Sequence, residues 1–297
     1  MHGRMVKSAP PVAAKGTLSV VDHATDRVGM TYAYPVVSRR SKGVSLGVNL
    51  NPNKACNFRC AYCQVEGLVR GKGPPIDRAR LVDEISSLTD DVLDGDFMTR
   101  AVPEGSRRLV SLAFSGDGEP TSSPDFADVV DDVAAVVARI RARQPIRFVL
   151  ITNGSLVHLP SVQEGLARLA RAGGEVWFKL DGGSDDDQRR VNDTAIGVEK
   201  SIANLVVAAR IAPTYVQTFF GRWDGRAPDD DEIGRYIAAI GRAQASGAVL
   251  KGVLLYSLAR PSMQKEAARL SPLSAEEMAH IAARVRAETG LSVDENA

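Results

Sequence analysis

The chain has 297 residues, of which 44% are hydrophobic and 25% are charged, which is typical of globular proteins with one large α/β domain or two small ones. The formal net charge is +1, so the sequence lacks a strong electrostatic footprint for nucleic acid, and no apolar run approaches the about 20 residues of a membrane-spanning helix. The first four residues lack an apolar signal core and cysteines are few, so we expect a cytoplasmic protein.

Residues 1–42 are predicted to be an N-terminal extension. They hold seven Lys or Arg against two Asp, an excess that fits a solvated tail at least as well as a contact with RNA or phosphate. Residues 1–16 are rich in Pro, Ala and Gly, which predicts disorder in this first part. We assign residues 43–297 to a single catalytic domain that ends in a C-terminal helix.

Strand and helix patterns alternate from residue 43 onward. Apolar residues at every second position predict a first strand over 44–50, and a helix with Asp77 as its start follows. A short acidic stretch after residue 180 is predicted to be a turn. Five further strands, each followed by a helical pattern, are predicted at residues 109–114, 147–151, 175–180, 214–219 and 249–256.

Six β–α units in a row predict a parallel sheet with helices outside it. With no break between the units, we expect a partial (β/α)6 TIM-like barrel with parallel strands in one α/β domain. A doubly wound open sheet is the alternative, because periodicity does not separate the two. In either architecture ligands bind at the carboxyl ends of the strands, where the candidate residues fall.

The three cysteines of the chain share one loop after the first strand: Cys56, Cys60 and Cys63. Three thiolates in this spacing hold three corners of an iron–sulfur cube and leave the fourth iron open. A structural zinc site needs four ligands, and a disulfide framework uses an even number of cysteines. Chance burial of inert cysteines is disfavoured because Asn57, Arg59 and Gln64 make this loop polar.

Polar or flexible residues follow the other strands. Two glycines in the loop after residue 114 let the backbone approach a ligand closely, although a plain turn is the alternative. Asn153 is either an Asx turn or a ligand contact. Lys179 and Asp181 share one face of their strand. They pair with each other, or Lys179 binds a substrate carboxylate or forms a Schiff base with a carbonyl. Pairing or binding is favoured over the Schiff base.

The cysteine run, with Tyr62 before Cys63, resembles the cluster motif of radical S-adenosylmethionine (SAM) enzymes. The resemblance implies a [4Fe–4S] cluster on the three cysteines, SAM on the fourth iron through its amino and carboxylate groups, and Tyr62 near the adenine. The loop after residue 114 resembles the Gly-Gly-Glu-Pro element of these enzymes, with Asp117 in place of a glycine. The resemblance implies SAM contacts at Ser115, Gly116, Asp117, Gly118, Glu119, Asn153, Ser155 and Tyr256.

Residues 49–56, 114–121 and 150–154 are similar to the group that includes the tRNA wyosine synthases, which carry a second cluster on extra cysteines that this chain lacks. The implied reaction is reductive cleavage of SAM to a 5′-deoxyadenosyl radical, which takes hydrogen from a small molecule or modified nucleoside. An external reductant such as flavodoxin or ferredoxin is implied. The alternatives are an activase that makes a glycyl radical on a partner enzyme and a wyosine-type tRNA reaction; a simple iron–sulfur carrier is disfavoured by the size of the chain.

Overall fold

The structure, a computed structural model, describes residues 16–19, 28–38 and 42–296. The predicted disorder of residues 1–16 lies almost wholly outside these residues. The strands in chain order are β1 (Ala33–Ser38), β2 (Gly43–Val48), β3 (Ala55–Cys56), β4 (Val69–Arg70), β5 (Leu109–Phe114), β6 (Arg147–Thr152), β7 (Glu175–Lys179), β8 (Thr214–Phe219), β9 (Arg222–Trp223), β10 (Leu250–Tyr256), β11 (Leu270–Ser271) and β12 (Val293–Asn296). The α-helices are α1 (Arg78–Leu93), α2 (Phe97–Ala101), α3 (Phe126–Arg141), α4 (Pro160–Arg171), α5 (Asp185–Asn192), α6 (Val198–Ile211), α7 (Asp230–Ala245) and α8 (Ala275–Thr289).

The central sheet has eight strands in the order β1-β2-β5-β6-β7-β8-β10-β12. From β2 to β10 the neighbours are parallel and follow each other in chain order. A doubly wound sheet reverses its strand order midway, so that alternative is wrong. The fold is a partial TIM-like barrel in a single α/β domain, which confirms the prediction.

Two strands at the edges of the sheet were not predicted. β1 pairs antiparallel with β2 and carries Pro35, a residue that sheets tolerate at their edges. It lies within the segment assigned to the N-terminal extension, and the domain division at residue 42 stays a prediction. At the other edge β12 pairs parallel with β10, with Val293 opposite Val253.

The helices begin where their capping residues stand. Asp77 caps α1 by accepting the backbone N–H of Arg80 at 3.1 Å, which confirms the predicted start. The predicted acidic turn after residue 180 is wrong, because this stretch forms α5. Ser184 caps α5 by accepting the N–H of Asp187 at 3.1 Å, and the three aspartates of its first turn suit the positive end of the helix dipole.

The core lies between the sheet and the surrounding helices. α3 shows the pattern: Val129, Val133 and Ile140 recur at helical spacing and are all fully buried. β2 is buried along its whole length, as expected for a strand covered on both faces. Within the described part of the chain, no helix combines the length and apolar character needed to cross a bilayer.

Candidate active site

The cysteine loop sits at the carboxyl end of β2 and is held on one side by α5. Cys56 lies on β3, which pairs with β4, and the N–H of Cys63 turns back onto the carbonyl of Cys60 at 2.8 Å. The N–H of Arg59 donates to the carbonyl of Asn192 at 3.1 Å, and that of Ala61 to the carbonyl of residue 191 at 2.7 Å. The last residues of α5 therefore fix the middle of the loop.

A segment after β10, residues 262–264, holds the other side of the cysteine loop and is called the clamp segment below. The Ser262 hydroxyl donates to the carbonyls of Ala61 at 2.6 Å and Cys63 at 3.2 Å. The N–H of Met263 donates to the carbonyl of Cys63 at 2.9 Å, and the Gln264 amide donates to that of Val65 at 3.0 Å. These bonds hold the end of the cysteine loop against the clamp segment.

The three cysteines are free thiols that are partly exposed. Burial, with Glu119 nearby, raises the pKa of Cys56 to about 12. Burial, with Asp181 nearby, raises the pKa of Cys60 to about 11, and burial also raises the pKa of Cys63. Buried thiols near carboxylates lose their protons only when a cation stabilises the thiolate form. A bound metal supplies this positive charge, and the thiol protons are released as it binds.

The donor set fits an iron–sulfur cluster better than a single metal ion. Among the described residues, no group of three or more His, Cys, Asp or Glu side chains converges on one point as the ligands of a single ion would. In a cluster each thiolate binds a different iron, so the three sulfurs need not converge. Three thiols on one ordered loop suit three corners of a cluster.

Lys179 projects from the end of β7 into a cage of aromatic rings. Its ammonium lies 4.9 Å from the centre of the Tyr62 ring and 4.7 Å from that of Tyr256, and it donates to the Tyr256 hydroxyl. Burial alone would lower the pKa of Lys179, but Asp181 and Tyr256 outweigh burial and raise it. Lys179 is therefore a protonated amine, which disfavours the Schiff-base alternative and supports pairing or binding.

Asp181 joins four elements of the site. Its Oδ2 accepts the Tyr62 hydroxyl at 2.5 Å and the Asn192 amide at 2.8 Å, while its Oδ1 accepts the N–H of Phe219 at 2.8 Å. The Lys179 ammonium lies 3.6 Å from Oδ1. The Asn192 amide also lies 3.3 Å from the sulfur of Cys60, so one carboxylate connects the cysteine loop to the barrel interior.

Glu119 is fully buried, and donors from two strand ends occupy both of its oxygens. Oε1 accepts the hydroxyls of Thr121 and Thr152, each at 2.6 Å, and Oε2 accepts the N–H of Asn153 at 2.7 Å. Burial raises the pKa of Glu119 even though these donors oppose it. The carboxylate therefore fastens the loop after β5 to the end of β6.

Two asparagines that follow β2 shape the glycine loop. Asn49 donates to the Asp117 carboxylate at 2.7 Å and accepts its N–H at 3.1 Å. Asn51 donates to the carbonyl of Ala55 at 2.9 Å. A Cβ at Gly118 would lie 2.2 Å from that same carbonyl, so only glycine lets this loop pass against the start of the cysteine loop.

The end of β6 reaches the cysteine loop through Asn57. The Asn153 amide donates to Asn57 Oδ1 at 2.8 Å, and the Asn57 amide donates to the Ser155 hydroxyl at 2.7 Å. Asn153 Oδ1 accepts the N–H of Ser155 at 3.0 Å, which is the contact of an Asx turn; the alternative of a ligand contact stays a prediction. The cysteine loop and the loops after β5, β6 and β7 thus form one hydrogen-bonded unit.

The remaining candidates lie around this unit. Ser115 shares a hydrogen bond of 2.7 Å with the Tyr34 hydroxyl, so β1 supports the loop after β5. Farther out, at a residue that is not among these candidates, the guanidinium groups of Arg190 and Arg269 lie 5.5 Å and 5.4 Å from the centre of the Trp223 ring. Sequence reasoning did not single out Asn192, and the only signal for it was its place after a polar stretch that proved to be α5.

Comparisons with known proteins place this arrangement in a family. The model of the radical SAM superfamily matches residues 50–222, a span that contains the cysteine loop and the loops after β5, β6 and β7.

Two curated proteins resemble parts of the chain. The GTPase Obg of Brachyspira hyodysenteriae is 29% identical over 133 residues, which are 44% of this chain and 17% of that protein. The UPF0026 protein MJ1312 of Methanocaldococcus jannaschii is 28% identical over 170 residues, 55% of this chain and 44% of that protein. The chain thus spans less than half the length of either relative.

Among solved structures, a radical SAM methyltransferase from Sphaerobacter thermophilus has a similar fold. The TM-score is 0.52 and the identity 16%, and the match covers 86% of this chain and 66% of that one. At this identity the likeness concerns the fold alone.

Proposed function

The chain belongs to the radical SAM superfamily, and we propose that Cys56, Cys60 and Cys63 bind a [4Fe–4S] cluster with which it cleaves SAM reductively. A reduced cluster in this position would supply the electron that breaks the 5′ carbon–sulfur bond, giving methionine and a 5′-deoxyadenosyl radical. The observation that carries the proposal is the single loop with three thiols, set at the carboxyl edge of the barrel. Superfamily membership makes the chain an enzyme of the radical SAM type.

We assign SAM binding to the loops around the cysteines. Gly118 brings backbone against the start of the cysteine loop, and Gly116 packs against Asn49. Tyr62 belongs to the cysteine loop, and Asn153 and Ser155 are hydrogen-bonded to it through Asn57. The backbone of the glycine loop would receive the methionine amino group, and Tyr62 would face the adenine. Because both oxygens of Glu119 are already bonded to the protein, we assign it the positioning of these loops instead of a contact with SAM.

We assign substrate positioning to Lys179 and Tyr256, and we assign Asp181, whose oxygens are both bonded to the protein, the role of holding Lys179 and Tyr62 in place. Lys179 and Tyr256 lie at the ends of β7 and β10, next to Tyr62, and the Lys179 side chain remains 15% exposed. A protonated amine and a phenol there can orient a small molecule or modified nucleoside for loss of one hydrogen atom, while Phe219 and the tyrosine rings exclude water.

The proposal is tested with protein that has been reconstituted anaerobically with iron and sulfide, reduced with dithionite and given SAM. We expect a [4Fe–4S] absorption spectrum and the formation of 5′-deoxyadenosine. Cys60→Ala should abolish both, whereas Glu66→Ala, in an exposed residue of the same loop, should leave both unchanged. No [4Fe–4S] spectrum in the wild-type protein would contradict the proposal.

The substrate class has its own test, which is deuterium transfer from labelled candidates into 5′-deoxyadenosine. Transfer from a labelled small molecule or nucleoside would support the assignment. Transfer only from a glycine of a partner protein would replace it with the activase alternative.

A further inference from the structure

The surface around the cysteine loop is more basic than the chain as a whole. Against the acidic residues Glu66, Asp193 and Glu266, it carries six Lys or Arg residues, called the basic face below: Lys54, Arg59, Arg70, Lys72, Arg260 and Lys265. The excess of three positive charges on this one face compares with a net charge of +1 for all 297 residues.

Direct contacts place several of these residues against the cysteine loop. The Arg70 guanidinium donates to the carbonyl of Asn57 at 3.0 Å, and the Lys54 ammonium donates to the carbonyl of Glu66 at 3.1 Å. Arg260 donates to the Gln64 side chain at 2.7 Å. The face therefore borders the segment that carries the three thiols.

Salt bridges and a hydrogen bond connect the outer residues of the basic face to its centre. Glu266 lies 3.6 Å from Arg59 and 3.7 Å from the ammonium of Lys265. On the other side the Asn53 side chain donates to the carbonyl of Lys72 at 3.0 Å. Lys54, Arg70, Lys72 and Lys265 are all exposed, so much of the positive charge faces solvent.

Two exposed apolar side chains lie within this face. Val69 is 52% exposed and Met263 is 50% exposed, and they are two of four large hydrophobic residues exposed in the described part of the chain. The N–H of Val69 donates to the carbonyl of Lys54, and that of Met263 to the carbonyl of Cys63. Apolar residues within a charged surface, with Met and Arg enriched, are typical of protein interfaces.

We propose that the basic face is the docking surface for a small acidic protein that carries one electron, such as a flavodoxin or ferredoxin. The inference rests on the proposed function, because a cluster at Cys56, Cys60 and Cys63 must receive one electron from a reduced carrier, which is oxidised in turn. Electron transfer slows steeply with distance, so a carrier must dock on the surface that borders these thiols. Positive charge there attracts an acidic protein and raises the rate of encounter.

The same charge would also attract nucleic acid phosphate. Val69 and Met263 favour a protein, since a phosphate backbone gains nothing from exposed aliphatic side chains, whereas apolar contacts supply much of the free energy of docking between proteins.

The test compares two reductants on one pair of variants. Lys72→Glu/Lys265→Glu reverses two exposed charges of the face, and neither residue belongs to the site assigned above. Lys251→Glu/Arg147→Glu is the matched control at the amino ends of β10 and β6, on the opposite edge of the sheet. SAM cleavage is measured with dithionite, and separately with an acidic flavodoxin kept reduced by its NADPH-dependent reductase.

We expect the face variant to need about tenfold more flavodoxin for half-maximal rate at low salt, with its dithionite-driven rate unchanged and the control variant like wild type. The flavodoxin-driven rate of the wild type should also fall as salt increases. Equal losses with both reductants, or no difference between the face and control variants, would overturn the inference. RNA binding is measured on the same variants by filter retention. If the face variant loses RNA binding while its flavodoxin requirement equals that of the wild type, the inference is overturned too. A wild-type protein inactive with dithionite would instead mark failure of the proposed function itself.

Discussion

Tyr62 donates its hydroxyl to Oδ2 of Asp181 at 2.5 Å, which ties the cysteine loop to the end of β7. Burial, reinforced by Asp181, raises the pKa of Tyr62 well above its ordinary value, and burial raises that of Tyr256 to about 12. Both phenols therefore keep their protons at neutral pH, and Asp181 is surrounded by groups that donate hydrogen bonds.

Asp181→Asn should destabilise the protein strongly. Phe219, Tyr62, Asn192 and Lys179 all present donors to this carboxylate, so an asparagine would have to point its own amide at one of them. We expect the free energy of unfolding of the metal-free protein to fall by about 3–5 kcal/mol, as for other broken buried pairs. Urea unfolding checks this, and the exposed Asp231→Asn should change it by no more than about 0.5 kcal/mol.

Lys179 should resist reductive methylation. Its raised pKa keeps the amine protonated at about pH 9, where exposed lysines already react through their small unprotonated fraction. After treatment with formaldehyde and cyanoborohydride, peptide mass spectrometry should find Lys200 and Lys251 methylated and Lys179 intact. Methylation of Lys179 to the same extent as Lys251 would show that the amine is accessible and readily deprotonated, and would restore the Schiff-base alternative.

Ser262→Ala should weaken the hold of the clamp segment on the cysteine loop. The substitution removes the hydroxyl that donates to two loop carbonyls, at a cost of about 1 kcal/mol. We expect a chelator to strip a reconstituted cluster about fivefold faster, the ratio that such an energy represents. Ser292→Ala, which removes a hydroxyl bonded to the carbonyl of Lys251 far from the site, should leave the rate unchanged. Equal rates in the two variants would show that the clamp segment does not hold the loop.

Gly118→Ala should displace the cysteine loop. The added Cβ would meet the carbonyl oxygen of Ala55 at 2.2 Å and the Asn51 side chain at 2.7 Å. We expect a loss of about 1–3 kcal/mol of stability and a lower iron content after reconstitution. Gly105→Ala is the control, since a Cβ there meets nothing within 4 Å. Normal iron content in Gly118→Ala would mean that the loop accommodates the methyl group.

Asp187 should make stability depend on pH in the acid range. Burial alone would raise its pKa, but hydrogen bonds from Arg235 and Ser184 outweigh burial and hold the pKa below its ordinary value. A carboxyl with a lowered folded pKa contributes stability in full above its unfolded pKa of about 3.9, and this is lost as pH falls through the folded pKa.

The Asp187→Asn variant tests this dependence. It should be less stable than wild type at pH 7, and the difference should shrink as urea unfolding is repeated below about pH 4. A difference that stays constant down to the lowest pH would mean that the carboxylate charge is not the stabilising group. Asp186→Asn, in the same turn but with a side chain 88% exposed, should show a small difference at every pH.

Hydrophobic periodicity predicts most of this fold, because most of its strands and helices have a regular pattern of apolar residues. The strands at Leu109–Phe114 and Thr214–Phe219 match the predicted ones, since each is a continuous run of strand-forming residues bounded by turn residues. α5 escaped prediction because its eight residues carry one apolar side chain, Val191. Its stability comes instead from the Ser184 cap and from Arg235 on α7, a contact between distant residues that no local pattern contains.

The candidate site likewise has a part that the sequence predicts and a part that it does not. The sequence singled out the cysteines, Lys179 and Asp181 as candidates, because polar residues at strand ends stand out against apolar runs, and their roles stay predictions. The sequence does not reveal that Asp181 accepts the N–H of Phe219, or that Asn192 bridges Asp181 and Cys60. Those contacts depend on the register of β7 with β8 and on the position of α5.

The double hold on the cysteine loop, by α5 and by the clamp segment, joins residues that lie far apart in the sequence. Arg59 and Ala61 donate backbone N–H groups to the end of α5, and Ser262 donates to the carbonyls of Ala61 and Cys63. Small zinc-binding domains take their folding free energy from the metal. Hydrogen bonds to distant parts of the barrel contribute to the shape of this loop, so a variant that unfolds α5 or the clamp segment would disturb the cysteines without replacing any of them.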